Sequence, residues 1–147
     1  MNGNAVLVVD DDATLRRVLC AAINWFGFHT LEAEDGEQAL DIYLREKPAL
    51  VITDIYMPKM NGIHLLRTLR RNDPDSKIVL ITGGTNYWQL ARDRDSRPDG
   101  FLEKPFTVAD LLKLVRTLMA DKTAAPPSPA AAGEQPRGDP RLLPAAC

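Results

Sequence analysis

Several side chains able to handle a phosphate lie between positions 10 and 104, each at the end of a short apolar run. Residues 5–9 lead into Asp10, Asp11 and Asp12, residues 50–53 into Asp54, residues 78–81 into Thr82, and residues 101–103 into Lys104. Three carboxylates, Asp10, Asp11 and Asp54, gathered in one pocket would repel and raise one another's pKa unless a cation lay between them. A hard divalent ion is the natural solution: Mg²⁺ suits one or two carboxylates, several waters and a phosphate oxygen. An ionised Asp54 exposed at a strand end can attack phosphorus and form an acyl phosphate. Such a transfer depends on neutralising charge, which Mg²⁺, the Lys104 ammonium and the Thr82 hydroxyl would supply. Each residue alone has a plainer reading: a helix N-cap for Asp11 or Asp12, a solvated lysine, a β-branched strand residue. Their joint placement at strand ends weighs against those readings.

That placement depends on the elements between the motifs. Apolar runs of this length, separated by helical segments, read as buried parallel strands. In an open parallel sheet the carboxyl ends of the strands share one edge, where ligands bind. Strands are predicted at 6–9, 29–33, 49–53, 77–82 and 101–103. Helices are predicted at 13–26, 36–46, 63–71 and 87–94, with a last one N-capped by Thr107. In the first helix Leu15, Val18, Leu19, Ala22, Ile23 and Phe26 follow helical spacing, and Gly27 is its stop. Lys47-Pro48 ends the second. The third follows the Met57-Pro58 and Asn61-Gly62 turns, and Asn72-Asp73-Pro74-Asp75 is loop chemistry. Val108, Leu111, Leu112, Val115, Leu118 and Met119 form one stripe on the last helix.

From residue 121 the composition changes. The last 27 residues hold six of the eleven prolines and show no periodicity, so 1–120 is expected to be one folded domain and 121–147 a disordered tail without room for a second. Leu142-Leu143 is the candidate for a short docking element in it. The net charge of −2 argues against general nucleic-acid binding, which relies on basic patches. No apolar stretch is long enough to span a bilayer, and the first residues resemble neither a secretory signal nor a myristoylation site. Cys20, on the apolar face of the first helix, and Cys147, in the tail, suggest no disulfide framework, which fits a reducing cytosol. His29 and His64 have no metal-ligand spacing. Gly83-Gly84 leaves backbone room beside a phosphate. Tyr87 and Trp88 suit a core or an interface equally.

The set of motifs resembles the receiver domain of bacterial two-component response regulators. Val6-Leu7-Val8-Val9-Asp10-Asp11-Asp12, Asp54-Ile55-Tyr56-Met57-Pro58-Lys59-Met60-Asn61-Gly62, Ile81-Thr82-Gly83 and Lys104-Pro105-Phe106 match in order and spacing across residues 4–120. The resemblance implies an α/β flavodoxin-like fold, a doubly wound five-stranded parallel sheet of order 2-1-3-4-5 with about five helices, for which a receiver is a standing example. It implies Asp54 as phosphoacceptor from a histidine kinase or phosphotransfer protein. It implies Mg²⁺ held by Asp11, Asp54 and the backbone carbonyl of Tyr56, with Asp10 acting through water. Thr82 and Lys104 would contact the phosphoryl group. Phe101 would act with Thr82 as a switch, reporting to a downstream protein target through the face formed by the 87–94 helix, the last strand and the last helix. A cis Lys104-Pro105 bond is implied too. Such a module acts in the cytoplasm, without nucleic-acid contact or membrane insertion, and catalyses only its own phosphorylation and dephosphorylation. Nothing in the sequence sets its oligomeric state.

Two departures stand out. Ser96-Arg97-Pro98-Asp99-Gly100 replaces the family's Ala-x-Gly-Ala-like turn before the last strand. Tyr56 and Gly84 occupy the two positions that tune phosphoryl lifetime in the family; a shielding Tyr56 and a Gly84 unable to position water predict slow autodephosphorylation. Two other readings compete. Asp10-Asp11-Asp12-Ala13-Thr14 also resembles the first motif of haloacid dehalogenase-type phosphatases, with Asp10 as nucleophile, although no late acidic pair follows Lys104. A receiver fold could also signal by constitutive binding, without phosphate.

Overall fold

The computed structural model describes residues 2–83 and 97–123. The helix expected at 87–94, together with Gly84, Tyr87 and Trp88, lies outside the described residues, as does the sequence beyond 123. In chain order the elements are β1 (Asn2–Val9), α1 (Ala13–Trp25), β2 (His29–Ala33), α2 (Gly36–Glu46), β3 (Pro48–Asp54), α3 (Gly62–Asn72), β4 (Ile78–Thr82), β5 (Gly100–Glu103) and α4 (Val108–Thr123). The strands form one parallel sheet of order β2-β1-β3-β4-β5, as the resemblance implies.

Alternation along the strands builds two cores, because successive side chains point to opposite faces. Val6, Val8, Leu50, Ile52, Val79 and Ile81 pack with Leu19, Cys20 and Ile23 of α1 and Leu111, Val115, Leu118 and Met119 of α4. Leu7, Val9, Val51, Ile78 and Leu80 pack on the other face with Ala39 and Tyr43 of α2 and Ile63, Leu65, Leu66 and Leu69 of α3. With both faces covered, the middles of β1, β3 and β4 (residues 5–9, 49–52 and 78–81) can be apolar without alternation, as their sequences are.

Side chains at the helix starts take up orphan N–H groups. Asp12 accepts from the N–H of Thr14 and Leu15, Asp35 from Gln38, and Asn61 from His64. Thr107 and Asp110 cap α4 reciprocally, at 3.0 Å each way, a capping box built with Asp. Helix α1 ends one residue earlier than the hydrophobic spacing suggests. Phe26 is the C-cap, Gly27 stands at φ 109°, and the N–H groups of Gly27 and Phe28 donate to the carbonyls of Asn24 and Ile23, a Schellman arrangement. Lys47 ends α2 at φ 50°, since Pro48 disfavours the α conformation in the residue before it. Helix α4 continues past position 120 to Thr123. Val18, assigned to the buried stripe of α1 by spacing, is 51% exposed; the buried face is centred on Leu19, Cys20 and Ile23, and Val18 is rotated off it.

Two contacts fix the loops around the sheet edge. A Cβ on Gly62 would lie 2.3 Å from the carbonyl oxygen of Asp54, and the Gly62 N–H donates to the Ile55 carbonyl at 2.8 Å. Only glycine lets α3 start this close to the end of β3. At the entry to β5, Asp99 Oδ2 accepts from Arg70 Nη2 at 2.7 Å and from the N–H of Ile78 at 2.8 Å. The same guanidinium donates to the carbonyls of Ser76 and Arg97.

Gly62→Ala is expected to destabilise the protein by about 2 kcal/mol, in the range for a side chain forced into a filled space. Urea unfolding checks this: a lower midpoint is expected, and an unchanged one would mean that the turn after β3 shifts freely.

Candidate functional site

Strand register assembles the site. Val9 pairs with Thr53, Asp54 with Ile81, and Thr82 with Glu103. Asp10, Asp54, Thr82 and Lys104 therefore leave the sheet along one edge. The backbone holds that edge in place. The N–H of Asp10 donates to the Ala33 carbonyl at 3.1 Å, that of Ile55 to Ile81 at 3.1 Å, and that of Lys104 to Thr82 at 2.8 Å. The Thr53 hydroxyl donates to the Asp54 carbonyl at 2.9 Å.

The three carboxylates meet as the sequence suggests. One oxygen from each of Asp10, Asp11 and Asp54 lies within 4.8 Å of the others. Their environments differ: Asp10 and Asp54 are buried and Asp11 is exposed. Lys104 Nζ lies 3.4 Å from Asp54 Oδ2, a long ionic contact that leaves the lysine partly exposed. Thr82 is buried. Gly83 leaves the approach open, since the nearest atom to a Cβ built there is Lys104 Cδ at 3.8 Å.

Asp10 carries the least satisfied charge. Its Oδ1 accepts the N–H of Asp12 at 2.9 Å. Its Oδ2 is one of two buried side-chain polar atoms among the described residues with no hydrogen-bond partner. Burial pushes the Asp10 carboxyl above the usual carboxylate range; the Asp12 N–H opposes the rise and the Asp54 charge adds to it. A buried carboxylate oxygen without a partner, beside two further carboxylates, is the donor set of a hard cation that prefers oxygen and retains water. The residues present fit Mg²⁺.

Other implied residues stand further off. Phe101 is half-buried opposite Leu80, two rungs of the ladder below Thr82, and packs toward the α2 and α3 core. The Tyr56 side chain is 65% exposed. The Lys104-Pro105 bond is cis. Of the two candidate caps, it is Asp12 that caps α1, which leaves Asp11 free to face the cluster.

Sequence reasoning missed several supporting residues. Arg16 donates from Nη1 to the Asp10 carbonyl at 2.6 Å and pairs through Nε with Glu32 at 2.9 Å, tying the acidic loop to β2. Lys59, at φ 70°, reaches Asp35 Oδ2 at 3.4 Å, so the turn after Asp54 is tied to the start of α2. Met60 lies so close to Gly36 that a Cβ there would meet its side chain at 2.6 Å. Nothing in the spacing of Arg16 or Lys59 marks these partners; the left-handed position of Lys59 is not one its residue type announces.

The comparisons agree with this geometry. The family model for the response regulator receiver domain matches residues 6–116. The response regulator MprA of Mycolicibacterium vanbaalenii is 32% identical over 118 residues, 80% of this chain and 51% of that protein. A probable transcriptional regulator, ycf27, of Porphyridium aerugineum is 32% identical over 81% of this chain and 49% of its own length. The chain thus spans about half the length of the curated relatives it matches. Among solved structures, the response regulator protein TrrA of Thermotoga maritima, in complex with Mg²⁺ and BeF, superposes with a TM-score of 0.71 at 32% identity, covering 78% of this chain and 98% of that one. A CheY-like receiver domain protein of Methanospirillum hungatei shares the fold with a TM-score of 0.76 at 23% identity, over 81% of this chain and 95% of its own. On its motifs, its sheet order and these matches, the chain belongs to the response regulator receiver domain family.

Proposed function

We propose that this chain is a phosphoacceptor module of a two-component phosphorelay, with Asp54 as the residue phosphorylated. The observation that carries the reading is the opposition of Lys104 to Asp54 across a cluster of three carboxylates. An Asp54 oxygen attacks the phosphorus of a phosphohistidine on a histidine kinase or phosphotransfer protein. The P–N bond breaks, the P–O bond to Asp54 forms, and the imidazole leaves with the electron pair and takes a proton. Asp11, Asp54 and the Tyr56 carbonyl would hold Mg²⁺ directly and Asp10 through water. When bound, that ion neutralises charge on the transferring group. Lys104 gives up its long contact with Asp54 for a phosphoryl oxygen, and Thr82 donates its hydroxyl to another. That TrrA, at 32% identity, is solved in complex with Mg²⁺ and BeF supports a reading in which this chain takes Mg²⁺ and a phosphoryl group.

Charge at Thr82 and Lys104 is the input to a switch. Thr82 moving toward the phosphoryl group leaves space two rungs above Phe101, and the half-buried ring responds. A downstream protein target reads the changed surface. The phosphatase reading, with Asp10 as nucleophile, fits less well: the Asp10 oxygen without a partner is buried, and Asp54 is the carboxylate facing the lysine. Among the described residues no helix is long and apolar enough to cross a membrane.

Acetyl phosphate with Mg²⁺ is expected to label the wild-type chain, and intact mass should show one added phosphoryl group. Asp54→Asn abolishes labelling; loss only in Asp10→Asn, with turnover of a phosphate ester, would favour the phosphatase. Absence of both labelling and any beryllofluoride-induced spectral shift would favour signalling without phosphate. The phosphorylated form is expected to be long-lived, and its decay, followed by the same mass measurement, should quicken in Tyr56→Ala. A half-life of seconds in the wild type would contradict the shielding role.

Asp10 sets a pH dependence. Its carboxyl is raised in the folded state, so the stability it contributes is full below the unfolded value and lost as pH rises through the folded one. Without metal, thermal stability should fall across that window, and Mg²⁺ should restore it at neutral pH. Asp10→Asn is expected to raise the metal-free stability by about 1 kcal/mol, as removal of an unpaired buried charge should. It should also weaken Mg²⁺ binding in a fluorescence or calorimetric titration.

A further inference from the structure

The end of the molecule opposite the carboxylates carries a feature that phosphoryl chemistry does not use. Helix α1 starts three residues after Asp10 and ends at Trp25; helix α4 starts four residues after Lys104 and ends at Thr123. Both therefore run from the functional edge to the far end, packed in the same core. There Trp25 is 86% exposed, the most exposed of the large apolar side chains among the described residues. The next residue, Phe26, stacks with Phe28 at a centroid distance of 6.3 Å, and the Arg116 guanidinium of α4 lies 4.7 Å from the Phe26 centroid. Val18, two turns earlier on α1, is exposed as well.

We propose that the Pro126-Pro127-Ser128-Pro129 segment of the same chain docks on Trp25, where the ends of α1 and α4 bring an exposed indole and the start of that segment together. Chain geometry favours this occupant. Thr123 is seven residues beyond Arg116, about 10 Å along a helix axis. The six residues from Thr123 to Pro129 span about 20 Å when extended, against about 8–10 Å between the axes of packed helices. The run can therefore return to the level of the Phe26 ring and cross from α4 to α1. Its spacing is P-x-x-P, which favours a polyproline helix, and such helices are recognised by aromatic side chains at low entropic cost. Tethering raises the effective concentration to the millimolar range, so a contact of a few side chains suffices. A second copy of the chain is the weaker occupant. One indole with its rim buries about 150–250 Å², well below the ~1,000 Å² of a stable interface.

The test uses the full chain. Trp88→Phe leaves Trp25 as the sole tryptophan. Its acrylamide quenching constant is expected to be about twofold lower than in the same chain carrying P126G/P127G/P129G, because a docked run covers one face of the ring. Its emission should also lie to the blue. Equal quenching and emission in the two chains would overturn the proposal. So would protection that appears only as protein concentration rises, which would assign the cover to a second copy. The indole N–H resonance of Trp25 gives a second measurement with Trp88 retained. It should move on substitution of the three prolines, and an unmoved resonance counts against docking.

Discussion

Everything at the functional edge depends on the parallel register of β1, β3, β4 and β5. Side chains alternate faces along a strand, so a slip of one residue would exchange the two cores and carry each terminal residue away from its neighbours. Val9 opposite Thr53, Asp54 opposite Ile81 and Thr82 opposite Glu103 are held by apolar residues on both faces of the sheet. Burying a side chain of that size is worth about 1.5–3 kcal/mol, so a register error would cost many such terms at once. That surplus lets the same sheet hold a strained cluster at its end. The core supplies the stability, and the edge spends it on carboxylates that repel.

The strain has a definite location. Asp54 has Lys104 across from it, and Asp11, though it faces the cluster, is exposed to water. Asp10 has neither relief: one oxygen takes a backbone N–H and the other is buried without a partner. A site built for a cation is in this sense a site left incomplete by the polypeptide. The surrounding loops are then fixed by contacts that do no chemistry. Arg16 holds the Asp10 carbonyl, Lys59 bonds to Asp35, and Gly62 admits the Asp54 carbonyl at close range.

The strands and most helices were legible because their signal is local. Apolar runs bounded by Gly, Pro and Asp mark the strands, i, i+3, i+4 spacing marks α1 and α4, and the turns that precede α3 mark its start. The convergence of Asp10, Asp11, Asp54 and Lys104 was legible because parallel topology alone brings strand ends together. Less could be read where a partner is distant and its type unremarkable. Val18 matched the apolar stripe of α1 yet faces solvent, since spacing alone does not say how wide the buried face is. Asp99 looked like loop polarity in an atypical turn, but it receives both Arg70 and the Ile78 N–H. Its role comes from a residue 29 positions away, beyond any periodic pattern. The roles of Phe101 and of the Tyr56 carbonyl rest on family resemblance, because neither burial nor spacing distinguishes them.

The Asp99 clasp bears on how force travels through β5. Below, the strand is riveted to α3 and β4 through one carboxylate; above, it ends in Lys104, whose side chain has only a long ionic contact. The ladder with β4 runs the whole length of β5, from Val79 opposite Gly100 to Thr82 opposite Glu103, and the Lys104 N–H closes it on the Thr82 carbonyl. A tug on the ammonium is therefore shared between the two strands, and the sheet's outer margin answers as a pair rather than as β5 alone.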